Sequence, residues 1–289
     1  MTAVVPLSDA GTADAADMNS VLGKVRLILD AFTAESDELT LTELTRRSGV
    51  AKPTVHRLAQ ELLFLGLLER SGTRYLLGLR LFEMGQLVPR QRILRQAALP
   101  YMEDLLMVTQ ETVHFAVHDG LDVLYIEKII SHRGLDKQSR VAGRLPLYCT
   151  ATGKAILAFS PETLLAEVMA EGLRPVTRHT TVSAAVLRQQ VERIRRERIA
   201  IEHEETRLGY TSMAVPVFGS SSVLAGALSI TAPTVRMNVS RFSGALRTAG
   251  LGISRTLQAM ARAQAPDLPL MESAITKRLI GGRRLFAHS

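Results

Sequence analysis

The chain has 289 residues, 46% of them hydrophobic, and a formal net charge of +7; that length suits about two domains, and the basic balance suits a polyanionic partner. Its single cysteine, Cys149, excludes an intrachain disulfide framework and a cysteine-rich metal cluster, and residues 1–17, with three aspartates and no Lys or Arg, lack the pattern of a secretory signal. The longest apolar run, residues 62–68, falls far short of the about 18 residues that span a bilayer, so a cytoplasmic protein with no membrane partner and no cofactor is expected.

Residues 1–18 are rich in Ala, Asp, Thr and Gly without apolar periodicity, which predicts a disordered arm. Ser20 then caps a helix whose Val21, Leu22, Val25, Ile28, Leu29 and Phe32 recur at helical spacing. After a polar break at 33–38, Thr40 to Glu43 reads as a capping box, in which each side chain satisfies the other's free backbone N–H. That short helix runs to Ser48, and Gly49 supplies the turn. The next helix carries Pro53 in its first turn, where a missing N–H costs nothing, and turns Val55, Leu58 and Leu62 inward. Beyond Gly66 the period becomes extended: 67–70, a turn at 71–73, then 74–77 predict a β-hairpin. Three helices and a hairpin make a winged helix-turn-helix over residues 19–78.

A helical linker is expected over 79–96, and a second, α/β (α+β) domain over 97–264. It should hold a helix at 97–109, strands at 112–117 and 123–130 around the turn pair Asp119-Gly120, and helices at 151–159, 161–171 and 184–198. Ser160 and Pro161 read as cap and first residue of the second of these helices. Strands at 212–218 and 224–231, joined by Gly219 and a serine run, precede a long helix at 240–263. Hairpin-linked strands make the sheet antiparallel. Residues 265–289 form a tail with Lys277, Arg278, Arg283 and Arg284, suited to DNA, a neighbouring subunit or solvent.

With Val55, Leu58 and Leu62 inward, the third helix presents Lys52, Thr54, His56, Arg57 and Gln60 outward. Arg pairs with guanine and Gln with adenine in two-point contacts, while Lys and Thr at a helix start grip phosphate. Arg46 ends the preceding helix, and Arg70 and Arg74 flank the hairpin tip, where a wing meets the backbone or minor groove. Ordinary solvated charge explains any one of these residues less well when all of them fall on one side of the same unit.

The run from Leu41 through Lys52-Pro53-Thr54-Val55-His56-Arg57-Leu58, and Arg74-Tyr75-Leu76-Leu77-Gly78, resembles the IclR-type transcriptional regulators. So do Glu111 to Val117, Arg144 to Ala155 and Ala214-Val215-Pro216-Val217-Phe218. The resemblance covers about residues 20 to 260. It implies a winged-helix DNA-binding domain, a linker helix and a GAF-like effector domain, in a homodimer or homotetramer that binds a pseudo-palindromic double-stranded DNA operator. It also implies a small-molecule effector, commonly an organic or aromatic acid, held by Ala151, Thr152, Glu202, Tyr210, Ser212, Ser229 and Thr231. This chain departs from the family in having Ser212 where Cys is frequent, and Leu208 before Gly209 where Pro is frequent. Elementary physics also favours an anion site: residues 150–154 open a helix, whose N–H groups carry the positive end of its dipole. The same hydroxyls would alternatively satisfy local backbone.

Other motifs carry less. Thr152-Gly153-Lys154-Ala155 lacks the first glycine and the final Ser or Thr of a phosphate loop, with Tyr148 and Ala155 in those places. His114 and His118 share a strand face but lack further zinc ligands. Glu202 to Glu205 suggests a solvated or pocket-rim strand end rather than a catalytic cluster, and Cys149 a buried thiol. The expected function is an effector-controlled regulator and not an enzyme. The alternatives are a GAF-like enzyme with an accessory DNA-binding domain and an architectural DNA binder.

Overall fold

A computed structural model describes residues 19–33, 35–131 and 140–264; the arm at 1–18 and the basic tail lie outside the described residues. The chain divides into two units between Arg95 and Gln96. Among the described residues, no helix is long and apolar enough to cross a membrane.

In the first unit, α1 (Val21–Asp30), α2 (Leu41–Ser48) and α3 (Lys52–Phe64) surround a core containing Ile28, Leu39, Leu44, Val55, Leu58 and Leu62. Each helix start has a local cause. The Ser20 hydroxyl accepts the Gly23 N–H. At α2 the Thr40 hydroxyl oxygen accepts the Glu43 N–H, and a Glu43 carboxylate oxygen accepts the Thr40 N–H at 2.8 Å, a complete capping box. Gly49 ends α2 at φ 68°, the left-handed region glycine enters without steric cost. Two strands, β2 (Leu68–Ser71) and β3 (Arg74–Leu77), form the wing hairpin, and a two-residue strand β1 (Leu39–Thr40) pairs β3 on its other edge.

Two helices follow in place of one linker helix and a separate helix beyond it: α4 (Leu79–Gln86) and α5 (Pro89–Thr109). Proline disfavours helical backbone at the residue before it, and Val88 precedes Pro89. The expected break near residue 96 is absent, because α5 runs through it and tolerates Pro100 inside the helix at the loss of one backbone bond.

The second unit is built on a six-stranded antiparallel sheet in the order β6-β5-β4-β9-β8-β7. Its strands are β4 (Thr112–Asp119), β5 (Asp122–Ile129), β6 (Arg144–Pro146), β7 (Ala200–His203), β8 (Tyr210–Phe218) and β9 (Leu224–Pro233). Pairing register puts Glu202 opposite Ser212, Ser212 opposite Thr231, and Thr231 opposite Thr112. Directly opposed residues share a face, so this polar row lies on one side of the sheet.

On that side lies α6 (Ala151–Phe159), packed with Ala200, Ala214 and Ala227 of the sheet. Residues 151–158 are all buried, as an enclosed helix requires. Close approach demands Gly153: a Cβ there would stand 2.2 Å from the Leu147 carbonyl oxygen. Helices α7 (Glu162–Glu171) and α8 (Ala184–Glu197) complete this layer. Pro161, not Ser160, occupies the cap position of α7, and the Ser160 hydroxyl instead donates back to the Ile156 carbonyl. On the opposite side α9 (Val239–Gln264) brings Gly250 against Val215. The Tyr101 hydroxyl of α5 hydrogen-bonds Thr256 of α9 at 3.0 Å.

Candidate functional site

The first candidate surface is the outer face of α3. Lys52, His56, Arg57 and Gln60 are exposed and Thr54 is half-buried, while Val55, Leu58, Ala59 and Leu62 are buried. Arg46, at the end of α2, is exposed. Its neighbour Arg47 has a structural task, donating to the Ala31 carbonyl at 3.1 Å and to Ser36 at 2.8 Å. Arg57 pairs with Glu61 one turn on, at 2.5 Å, both side chains more than half exposed. Such pairs are worth about 0–1 kcal/mol, so a phosphate or base edge competes for Arg57 at little cost. At the wing, Arg70 donates to the Gly72 carbonyl and lies over the Tyr75 ring. Arg74 donates to the Glu38 carbonyl and stands 3.8 Å from Glu43. Both wing arginines remain exposed.

The second candidate is a recess in the other unit, where the start of α6 meets the polar row of the sheet. Ala151, Thr152, Glu202, Ser212, Ser229 and Thr231 line it, joined by Tyr125, Thr150 and Thr206. Tyr210, the seventh residue expected there, is not part of the lining. Its ring lies 4.0 Å beneath the Arg207 guanidinium, which holds it against the 207–209 turn. Tyr125 lies on β5, where Tyr125, Ile126 and Glu127 are all buried, so alternation did not single it out; its ring sits 5.0 Å from that of His114. Thr206, on a connecting loop, had no periodic signal.

Thr150 caps α6, its hydroxyl oxygen accepting the Gly153 N–H at 3.0 Å. That cap leaves the first N–H groups of the helix for another acceptor. Thr231 donates to the Ser212 hydroxyl at 3.0 Å. Two buried polar atoms of the lining have no hydrogen-bond partner: Thr152 Oγ1 and Glu202 Oε1. Unsatisfied buried polar atoms cost about 1–3 kcal/mol each, and two on one recess mark a place shaped for something polar. The open space is about 10 Å³, room for about one water, so an organic ligand enters only as side chains turn aside.

Charge around the recess is arranged in layers. Lys154 is fully buried and paired with Glu205. Glu205 also accepts the Thr181 N–H at 2.9 Å, and its carbonyl accepts the Thr180 hydroxyl at 2.7 Å. Glu202 is 1% exposed, and its Oε2 accepts the Glu205 N–H at 2.8 Å. Burial pushes the Glu202 carboxyl up to about 7, against the opposing pull of the Ser212 hydroxyl and the Glu205 N–H. Burial likewise raises the Cys149 thiol, keeping it neutral, and the Tyr148 phenol to about 12. His203 is exposed and Glu204 half-exposed, so the acidic run expected at a strand end is split between core and surface. His118, next to last in β4, is in contact with the Gly120 carbonyl, while His114 is buried.

Comparison with known proteins fits this two-part geometry. The family model described as IclR helix-turn-helix domain matches residues 21–72, and that described as Bacterial transcriptional regulator IclR C-terminal matches residues 86–255. The chain is 32% identical over 237 residues to the HTH-type transcriptional regulator XynR of Escherichia coli, covering 80% of this chain and 94% of XynR. It is 35% identical over 243 residues to KdgR of Dickeya chrysanthemi, covering 82% and 79% of the two chains. A solved IclR homolog from Microbacterium hydrocarbonoxydans, complexed with 4-hydroxybenzoate, superposes with a TM-score of 0.78 at 30% identity, covering 83% of this chain and all of that one. The IclR of Thermotoga maritima gives a TM-score of 0.69 at 29% identity over 82% of this chain and 98% of its own. XynR and KdgR are named as regulators of transcription, not as enzymes. A helix-turn-helix unit joined to an effector-binding unit, matched in order along the chain, makes this protein a DNA-binding transcriptional regulator of the IclR family.

Proposed function

We propose that the chain binds a pseudo-palindromic operator as a homodimer or a tetramer of dimers, and that a small organic acid in the α6 recess changes that affinity. Lys52, Thr54, His56, Arg57 and Gln60 read or grip the major groove, with Arg46, Arg70 and Arg74 on the flanking backbone. Two α3 helices in successive grooves stand about 34–36 Å apart. The observation that carries the effector half is the pair of orphaned buried atoms, Thr152 Oγ1 and Glu202 Oε1, beside the open N-terminus of α6. A ligand carboxylate accepts from the Thr152 hydroxyl and from the first N–H groups of α6. The 4-hydroxybenzoate carried by the Microbacterium homolog supports an aromatic acid as the first ligand to try.

The test is fluorescence anisotropy of the full chain on duplex DNA from upstream of its own gene, with and without 4-hydroxybenzoate and related benzoates. A coupling of about 1–3 kcal/mol changes affinity by about 5–150-fold. Arg57→Ala should lose about 1–3 kcal/mol of sequence discrimination without unfolding the helix. Equal affinities with and without every acid that binds the chain would rule out effector control, and an unchanged footprint for Arg57→Ala would rule out α3 as the reading helix.

A further inference from the structure

We infer that Glu202 is protonated when an organic acid occupies the recess, donating its O–H to the ligand, so that effector binding draws a proton from solvent. This rests on reading the recess as the effector site and states how that site is regulated.

Glu202 is almost wholly buried; one oxygen takes the Glu205 N–H, and the other, on the recess, has no partner. An ionised carboxylate offers about four acceptor positions, and of the hydroxyls lining the recess only that of Ser212 acts on this one, beside the Glu205 N–H. The buried cation nearby is already committed, since Lys154 pairs with Glu205. An arriving carboxylate would be a third negative group in one small space. Two carboxylates sharing a site do not both stay ionised, because their repulsion in a low-dielectric setting raises one proton affinity sharply. The ligand takes the anionic role, because the free N–H groups at the start of α6 and the helix dipole stabilise its charge. Glu202 then carries the proton, and its orphaned oxygen becomes a donor.

The groups facing Glu202 do not change this assignment. From the loop beyond β7 comes Glu205, and from α6 Lys154, the two paired with each other. Cys149, at the turn before α6, is held neutral by burial. From β5 and β4 come the Tyr125 and His114 rings, in contact with one another; β8 contributes the uncharged Ser212. Burial, outweighing the Ser212 and Glu205 hydrogen bonds, brings the empty site's carboxyl to about 7, so near neutral pH about half the molecules must take up a proton when the ligand arrives.

The experiment is calorimetric titration of the full chain with 4-hydroxybenzoate and with benzoate. Buffers of differing ionisation enthalpy count the protons exchanged. Uptake of about half a proton per site is expected near pH 7. Affinity should fall about tenfold between about pH 6 and about pH 8, although the acids themselves stay ionised throughout. Glu202→Gln keeps a neutral donor at the same place and should bind with a flat pH profile and no uptake. Binding without uptake, or uptake undiminished in Glu202→Gln, overturns the inference and leaves the effector site standing. Failure of both acids to bind at any pH overturns the organic-acid reading and this inference together.

Discussion

Replacing Lys154 by Met tests how the recess is held together. Lys154 lies in the middle of α6 with no exposure to solvent, and its partner Glu205 is 5% exposed. Removing the ammonium strands a buried carboxylate, and breaking one side of such a pair costs about 3–5 kcal/mol. Glu205 keeps the Thr181 N–H, but that donor alone does not balance a full charge. Adding Glu205→Gln in the same chain removes the charge while the amide oxygen still accepts from Thr181. The double variant should therefore recover at least about half of the loss, a coupling of about 2 kcal/mol, within the range found for residues in one network. Urea unfolding followed by circular dichroism measures this. The second unit's transition should shift and the first unit's should not, since the pair lies wholly beyond Gln96. A Lys154→Met chain within about 0.5 kcal/mol of the parent, or a strictly additive double variant, would refute the view that this pair is an interdependent buried network.

Gly153→Ala should destabilise the second unit by about 1–3 kcal/mol, because the new Cβ meets the Leu147 backbone at 2.2 Å; thermal melts check this, and effector affinity should fall while α3 stays helical. Thr40→Ala should cost the first unit about 1 kcal/mol by removing the side-chain acceptor of the Glu43 N–H, read in the same melts as a shift confined to the other transition. The raised Glu202 pKa has a definite sign: the folded chain holds this proton more tightly than the unfolded one, so the stability it contributes is present at low pH and is lost as pH rises through about 7. Between about pH 6 and about pH 8 the parent should lose about 1 kcal/mol relative to Glu202→Gln, measured as the difference between two urea midpoints at each pH.

Much of this architecture was legible in the sequence, for reasons that vary by element. The capping box at Thr40 and Glu43, Gly49 and Pro53 are local signals, and their helices appear where the spacing puts them. Residues 151–159 are helical as expected. β1 and β6, two and three residues long, are too short to show a period and exist only because a neighbouring strand offers a ladder. The expected boundary between a linker helix at 79–96 and a helix at 97–109 lies instead at Pro89, whose ring disfavours helical backbone at Val88. In the recess, the helix start and the polar row were accessible from the resemblance. The burial of Glu202 was not, since Glu202 to Glu205 reads as surface until β7 is paired with β8 and α6 is laid over it.

The two walls of the recess differ in mechanical character. Ser229 and Thr231 belong to β9, clasped by strands on both flanks, whereas Glu202 belongs to β7, which ends the sheet and is paired on one flank alone. Displacing an outermost strand disturbs one ladder; displacing an inner strand disturbs two. The margin of the recess that yields at least cost is therefore β7, the strand that carries Glu202.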